Sequence, residues 1–224
     1  TIWKFKNDLA ETETVDKFFC MFDEHLENKG LISHKGTIVD ATFVDAPRQR
    51  NSRDENKKIK NGVIPEGWEK PENKSKLAQK DIDADWTKKN GERHFGYKDH
   101  VKCDADSKLI TNYSVTSASV HDSQRCLVFI GQEDEVLYAD SAYSGKPIAL
   151  ALPENCKNQI CEKGYRNSPL TSEQKMNNRR KSRIRCRIEQ IFGFMTGAMH
   201  GITIRSIGIT RAWMNIGITN LVYN

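Results

Sequence analysis

Three acidic residues in three different settings carry the chemistry this chain can offer. Asp40 sits in Gly36-Thr-Ile-Val-Asp-Ala-Thr42, Asp140 closes Glu135-Val-Leu-Tyr-Ala-Asp140, and Glu189 lies in Arg185-Cys-Arg-Ile-Glu-Gln-Ile-Phe192. Carboxylates are hard oxygen donors, suited to Mg²⁺, with Mn²⁺ as a substitute. Two such ions about 4 Å apart activate a water or a 3′-hydroxyl and stabilise the leaving oxygen during in-line attack on phosphorus. The surroundings suit a phosphate: Lys175, Arg179, Arg180, Lys181, Arg183, Arg185 and Arg187 form a run with no acid between Lys175 and Ile188. Such cations can meet a DNA backbone. A protein nucleophile is not required, and the sequence has no G-x-S-x-G elbow, Walker A segment or G-x-G-x-x-G.

Each acid also has a plainer reading. Asp40 could face water from an edge strand, Asp140 could cap a turn, and Glu189 could be an exposed i,i+4 partner of Arg185. Among other polar residues, His121 beside Asp122 could position DNA or a carboxylate, or cap a helix. Tyr143 and Arg185 could place DNA or orient the carboxylates. Asp104 and Asp106 suit a hairpin turn, and Asp45 the shaping of a strand end. His94, His100 and His121 have no zinc spacing.

The elements that must position these groups follow from the pattern of apolar residues. Residues 3 to 30 read as helical, with Val15, Phe18, Phe19, Met21, Phe22 and Leu26 at helix spacing and Gly30 as the stop. Thr37, Ile38, Val39, Thr42, Phe43 and Val44 are strand formers around Asp40, and Pro47 ends the run. Residues 48 to 92 show no apolar periodicity. They read as a basic insertion that either tracks a phosphate backbone or is a solvated spacer, with Trp68 and Trp86 as its large anchors. Strands are expected at 95–103 and 109–115, a helix at 124–130, a strand at 135–139 leading into Asp140, a helix at 148–152 and a strand at 159–162. A long helix over 171–194 carries the stripe Ile184, Ile188, Ile191, Phe192 and Met195, and a second apolar helix spans 204–223. This order predicts an α/β fold, a mixed sheet flanked by helices that makes an RNase H type plausible.

Size and charge set outer bounds. The chain has 224 residues, enough for one α/β domain with a real core. Lys and Arg number 35 against 30 Asp and Glu, giving +5, a modest pointer to nucleic acid. No stretch approaches a membrane span, and the first residues do not form a signal peptide. The six cysteines are scattered without a CxxC pair, which fits reduced thiols and a cytoplasmic protein without a membrane partner. The chain opens without Met directly into a helical pattern, as a fragment would.

Taken together, these blocks resemble the DDE transposases of bacterial insertion sequences, the insertion sequence five family. The matching segments are Gly36–Pro47, Phe95–Leu109, Thr116–Ser123, Ala139–Gly145 and Arg187–Thr196, in family order from about residue 10 to 223. The resemblance implies an RNase H-like core in which Asp40, Asp140 and Glu189 are catalytic and bind two Mg²⁺ ions. Arg185 then matches the arginine of the C-terminal signature. Arg179, Arg180, Lys181, Arg183 and Arg187, with His121 and Tyr143, are candidates for DNA binding or site support. Two signature positions differ: the usual tyrosine is Ser182 and the usual lysine is Thr196. The implied partners are double-stranded DNA, as terminal inverted repeats and target, and further copies of the chain in a dimer or higher oligomer. The implied location is the bacterial cytoplasm, at the nucleoid when DNA-bound. Residues 1–30 are expected to be the C-terminal part of an N-terminal helical region and 31–224 the catalytic domain. Two alternatives use the same residues: a truncated or domesticated DNA-binding protein without catalysis, and an RNase H-like nuclease without strand transfer. A basic α/β protein with no nucleic-acid role is a third.

Overall fold

The computed structural model of the protein describes residues 1–89, 91–201 and 203–224. Asn90, within the expected insertion, lies outside the described residues. Eight helices and six strands are formed in these residues.

The centre is strand β1, Thr37–Asp45, as its β-branched run dictates. It pairs antiparallel with β3, Glu92–Asp104, from Thr37↔Asp104 to Asp45↔Gly96. On its other side it pairs parallel with β5, Val136–Ala139. Asp40 is therefore on an inner strand, not an edge. Strand β4, Ile110–Ser117, pairs with the same stretch of β3 that β1 uses, so β1 and β4 lie on opposite sides of β3. Strand β6, Lys157–Ile160, adds parallel to β5. A further strand, β2, Asp85–Lys89, forms an antiparallel ribbon with Glu92–Gly96 of β3. The result is a mixed sheet with helices on both faces.

Helix α7, Ser172–Gly197, begins with a capping box in which Thr171 and Gln174 satisfy each other's backbone N–H. Its buried Ile188, Ile191 and Met195 pack one sheet face together with α8, Ile209–Tyr223; Ile38, Tyr97, Val101 and Cys103 are their partners. Helices α5, Ser123–Phe129, and α6, Lys146–Ala151, cover the other face against Val39, Leu137, Ala139 and Tyr143.

Three sequence expectations change. The helical run at 3–30 is two helices, α1 (Ile2–Glu11) and α2 (Thr14–Asn28), because Glu13 takes a left-handed backbone with φ 52°. The 48–92 stretch is not structureless. It contains α3 (Arg53–Lys60), α4 (Lys74–Ala78) and β2, and is organised around Trp68, which is 2% exposed and donates its indole N–H to Glu55 Oε1 at 2.8 Å. Finally α8 starts at Ile209 rather than near 204, after Gly208 at φ 96°.

Candidate active site

Parallel pairing brings the two aspartates level. The partners Thr37↔Leu137 and Ile38↔Tyr138 are offset by 100 residues. The same offset carries Asp140, the residue that follows β5, to the side of Asp40, near enough for its charge to act on the Asp40 carboxyl. Asp140 is still extended there, at φ −76° and ψ 176°, and its Oδ1 accepts from Ala142 N at 2.7 Å to start a 3₁₀ turn over Ser141–Tyr143. It is thus both the turn cap of the plain reading and a carboxylate with a free oxygen: Oδ2 accepts no hydrogen bond among the described residues.

Helix α7 brings the third acid to the same edge. Arg185 and Glu189, one turn apart, share a side of the helix. The Arg185 guanidinium donates from Nη1 to Asp40 Oδ2 at 2.9 Å and from Nη2 to Glu189 Oε1 at 2.5 Å. The expected i,i+4 pair is present, but its arginine also spans 145 residues to the central strand. Asp40 Oδ1 accepts from its neighbour Ala41 N at 2.8 Å. Burial pushes the Asp40 carboxyl up to about 6, with the nearby Asp140 charge adding to the rise. The Ala41 N–H, Arg185 and Lys89 pull it down. Two crowded carboxylates, one of them reluctant to ionise, form an electrostatic sink for a cation. Glu189 is more than half exposed and Oε2 is free. Among the described residues, however, no three His, Cys, Asp or Glu side chains already form a cation cage. Arg185 joins Asp40 to Glu189 where a cage would require them to share an ion.

The remaining candidates divide by burial and bonding. Arg179, Arg180 and Arg183 are exposed on α7 without an acidic partner among the described residues. Lys181 is instead tied to the Ile160 carbonyl at 2.9 Å, and Arg187 to the Ala105 carbonyl and Asp106, so both fasten α7 to the sheet. His121 Nδ1 bonds the Ser123 hydroxyl at 2.8 Å at the start of α5. Tyr143 is 1% exposed in the core, and its buried hydroxyl has no partner. Burial raises its phenol well above the usual range, and the charges of Asp40, Asp122 and Asp140 add to this.

Sequence reasoning singled out His100 but not the row of polar groups on β3 to which it belongs. Lys98, His100 and Lys102 alternate on one face of this inner strand. Lys98 pairs with Asp122 at 2.7 Å, His100 meets the Thr116 hydroxyl at 2.8 Å, and Lys102 pairs with Asp134 at 3.0 Å. The signal was present: three basic or polar residues at period two inside a strand need buried partners. Phe43 is a second omission. His94 stacks on it at 4.2 Å between ring centroids, and Lys89 Nζ lies 5.6 Å from its centroid.

A mixed sheet that brings two aspartates from neighbouring strands beneath an arginine–glutamate helix defines a candidate polar site. Residues 32–224 match the family described as Transposase DDE domain, and the chain belongs to that family. It is 30% identical over 199 residues to the transposase for insertion sequence element IS1106 of Neisseria meningitidis serogroup B. The matched region covers 85% of this chain and 64% of that relative's length. No solved structure matches the chain.

Proposed function

We propose that the protein is a DNA transposase with an RNase H-like core that cleaves at the ends of an insertion sequence and joins them to target DNA. The observation that carries this reading is the meeting of Asp40, Arg185 and Glu189 with Asp140 just past the end of the next strand, in a chain of this family. The strand order supports the core: a central β1, antiparallel β3 and β4 to one side, parallel β5 and β6 to the other. The donor set fits a divalent ion, since Asp140 and Glu189 each keep an oxygen free and Asp40 is crowded by Asp140. Asp40, Asp140 and Glu189 are the residues that would hold Mg²⁺, or Mn²⁺ in its place, as two ions. Bound there, the metal supplies Lewis acidity to the attacking and leaving oxygens.

The chain's own groups do the rest. Asp40, on the inner strand β1, and Asp140, just past the end of β5, fix two carboxylates in a rigid sheet. Glu189 approaches from α7, and Arg185 neutralises Asp40 and Glu189 while keeping them in place. A guanidinium also matches the oxygens of a phosphate, so Arg185 is the positioning group closest to the reacting phosphodiester. Water attacks phosphorus first and frees a 3′-hydroxyl at the element end. That hydroxyl then attacks a target phosphodiester and displaces its 3′-oxygen. Arg179, Arg180 and Arg183 offer free cations for duplex DNA. The terminal inverted repeats and target are the substrates, and two or more copies of the chain act together on the paired ends. Residues 1–30 belong to an N-terminal helical region and 31–224 to the catalytic domain, with 48–92 as its basic insertion.

A second reading, a DNA-binding protein without catalysis, is favoured by one observation. Thr196, at the signature's lysine position, turns its hydroxyl back to the Phe192 carbonyl at 2.8 Å and carries no charge to a phosphate. Joining of a pre-cleaved element end to plasmid DNA in Mg²⁺ or Mn²⁺ separates the two. Wild type is expected to join, with Asp140→Ala and Glu189→Gln at background. Full joining by Asp40→Ala would reject the site. A wild type that binds DNA but never joins it selects the second reading.

A further inference from the structure

The insertion and the β2–β3 ribbon enclose a groove that the acid site does not use. It has a volume of about 630 Å³ and is lined by Arg50, Asn51, Asn56, Trp86, Lys88 and Arg93, together with Gln49 and Thr87. None of the lining side chains is a carboxylate. Arg50, Lys88 and Arg93 are exposed, and none has an ion-pair partner among the described residues. Three unneutralised cations around one concavity are unfavourable unless an anion enters.

The positions of these cations are built rather than incidental. Lys88 and Arg93 are cross-strand partners in the β2–β3 ribbon, and like charges directly opposite destabilise a pair. Gln49 is held by two bonds to the Asp81 backbone, at 2.6 and 2.9 Å, which fixes the neighbouring Arg50. Lys80 bonds the Arg50 carbonyl and the Asn51 side chain, each at 2.7 Å, and Asn51 in turn donates to Asn56 at 3.2 Å. Thus the wall opposite the ribbon is rigid as well.

The shape of the wall decides between a backbone and a base. Trp86 has Phe95 against it at 5.0 Å between centroids, and the Arg48 guanidinium lies 5.9 Å over its ring. With its ring covered in this way, Trp86 is not an open platform for an unpaired base. The free groups are cations and amides, which meet phosphate oxygens. The ribbon alternates, so Trp86, Lys88 and Arg93 share one face, while His94, stacked on Phe43, lies on the other. This is the sheet face that also carries Asp40, but the groove lies further out along it: the ribbon uses the Glu92–Gly96 end of β3, whereas Asp40 is opposite Val101, and none of Asp40, Asp140, Arg185 and Glu189 lines the groove.

We infer that this groove grips the sugar–phosphate backbone of duplex DNA as a second anchoring site, set apart from the acid site and independent of divalent metal. The inference rests on the proposed transposase reading, and its test can fail separately. Affinity for a 40-base-pair duplex is measured by fluorescence anisotropy against NaCl concentration in EDTA. Wild type is compared with Arg50→Ala/Lys88→Ala/Arg93→Ala and with the single exposed-site variant Arg93→Glu. For the triple variant, the slope of log affinity on log salt is expected to fall by about 3, near 0.9 for each lost phosphate contact. Arg93→Glu should weaken binding at least tenfold at low salt. Emission of Trp86 should change on DNA addition, and Trp86→Phe should remove that change. Wild-type slope and affinity in both variants would overturn the groove while leaving the transposase reading intact. Equal loss with a single strand and none with the duplex would overturn the duplex assignment. No salt-dependent DNA binding by wild type would instead overturn the underlying reading, and the groove with it.

Discussion

Arg185 touches two carboxylates of very different exposure, and this predicts unequal costs for removing the partners. The Asp40 side chain is 14% exposed and that of Glu189 is 55% exposed. Removing the guanidinium leaves Asp40 with one backbone hydrogen bond in a buried place, so Arg185→Ala is expected to destabilise the fold by about 1–3 kcal/mol. Glu189→Ala removes a solvated i,i+4 contact and should cost less than about 0.5 kcal/mol. Urea unfolding of both variants checks this, and equal costs would mean that Arg185 is not held chiefly through Asp40. This bridge could not be read from sequence. The four-residue spacing announces the Arg185–Glu189 pair, but only the packing of α7 on β1 adds Asp40.

At the scale of elements, what is legible in the sequence lies in its regular apolar and β-branched patterns. β1 announced itself by Thr37, Ile38, Val39 and Val44, and α7 by a stripe from Ile184 to Met195 with Thr171 and Gln174 at its start. The 48–92 stretch was opaque because its order comes from one side chain, Trp68, rather than from a repeating pattern. Its one local signal was Ser52-x-x-Glu55, a capping box that starts α3. The break between α1 and α2 has neither Gly nor Pro to mark it.

The joint between β3 and α8 was hidden for another reason: nothing in Lys98-Asp99-His100 shows which polar residue faces a helix. Asp99 is fully buried and accepts from Asn220 Nδ2 at 3.2 Å, with its other oxygen unpartnered. Burial drives its carboxyl up to about 8, with the Asn220 bond opposing the rise. The folded protein keeps this proton where the unfolded chain, at about 3.8, has released it. Stability from this group is complete below pH 4 and is lost as pH rises towards 8, at about 1.4 kcal/mol per unit. Asp99→Asn carries no titrating proton. Its unfolding free energy should stay flatter than wild type between pH 5 and 8 and exceed it at pH 8; parallel curves would show that Asp99 ionises freely in place.

For the whole molecule, the question is whether α1 and α2 belong to the body formed by residues 32–224, the part matched to the family. Their contacts fall on α8 and β4. Ala10, Val15 and Met214 form a small apolar cluster, and the Phe19 ring meets Tyr113 edge-on at 4.9 Å. Asp16 is the polar clasp: its Oδ1 accepts from the Tyr113 hydroxyl and from Trp213 Nε1 at 2.9 Å. Gly217 shows how close the approach is, since a β-carbon there would meet Val15 at 2.9 Å. An appendage that merely rested on the core would not be clasped to both a strand and a helix of it. Asp16→Ala strands two donors beneath the N-terminal helices and should lower stability by about 1–3 kcal/mol. Asp16→Asn, which keeps an acceptor oxygen, should recover part of that loss. The measurement is urea unfolding followed by far-ultraviolet circular dichroism and by Trp213 fluorescence. One shared transition, shifted in both signals by Asp16→Ala, means that α1 and α2 unfold with the sheet. An unchanged core transition would make them an independent unit that docks without contributing to the stability of the sheet and its helices.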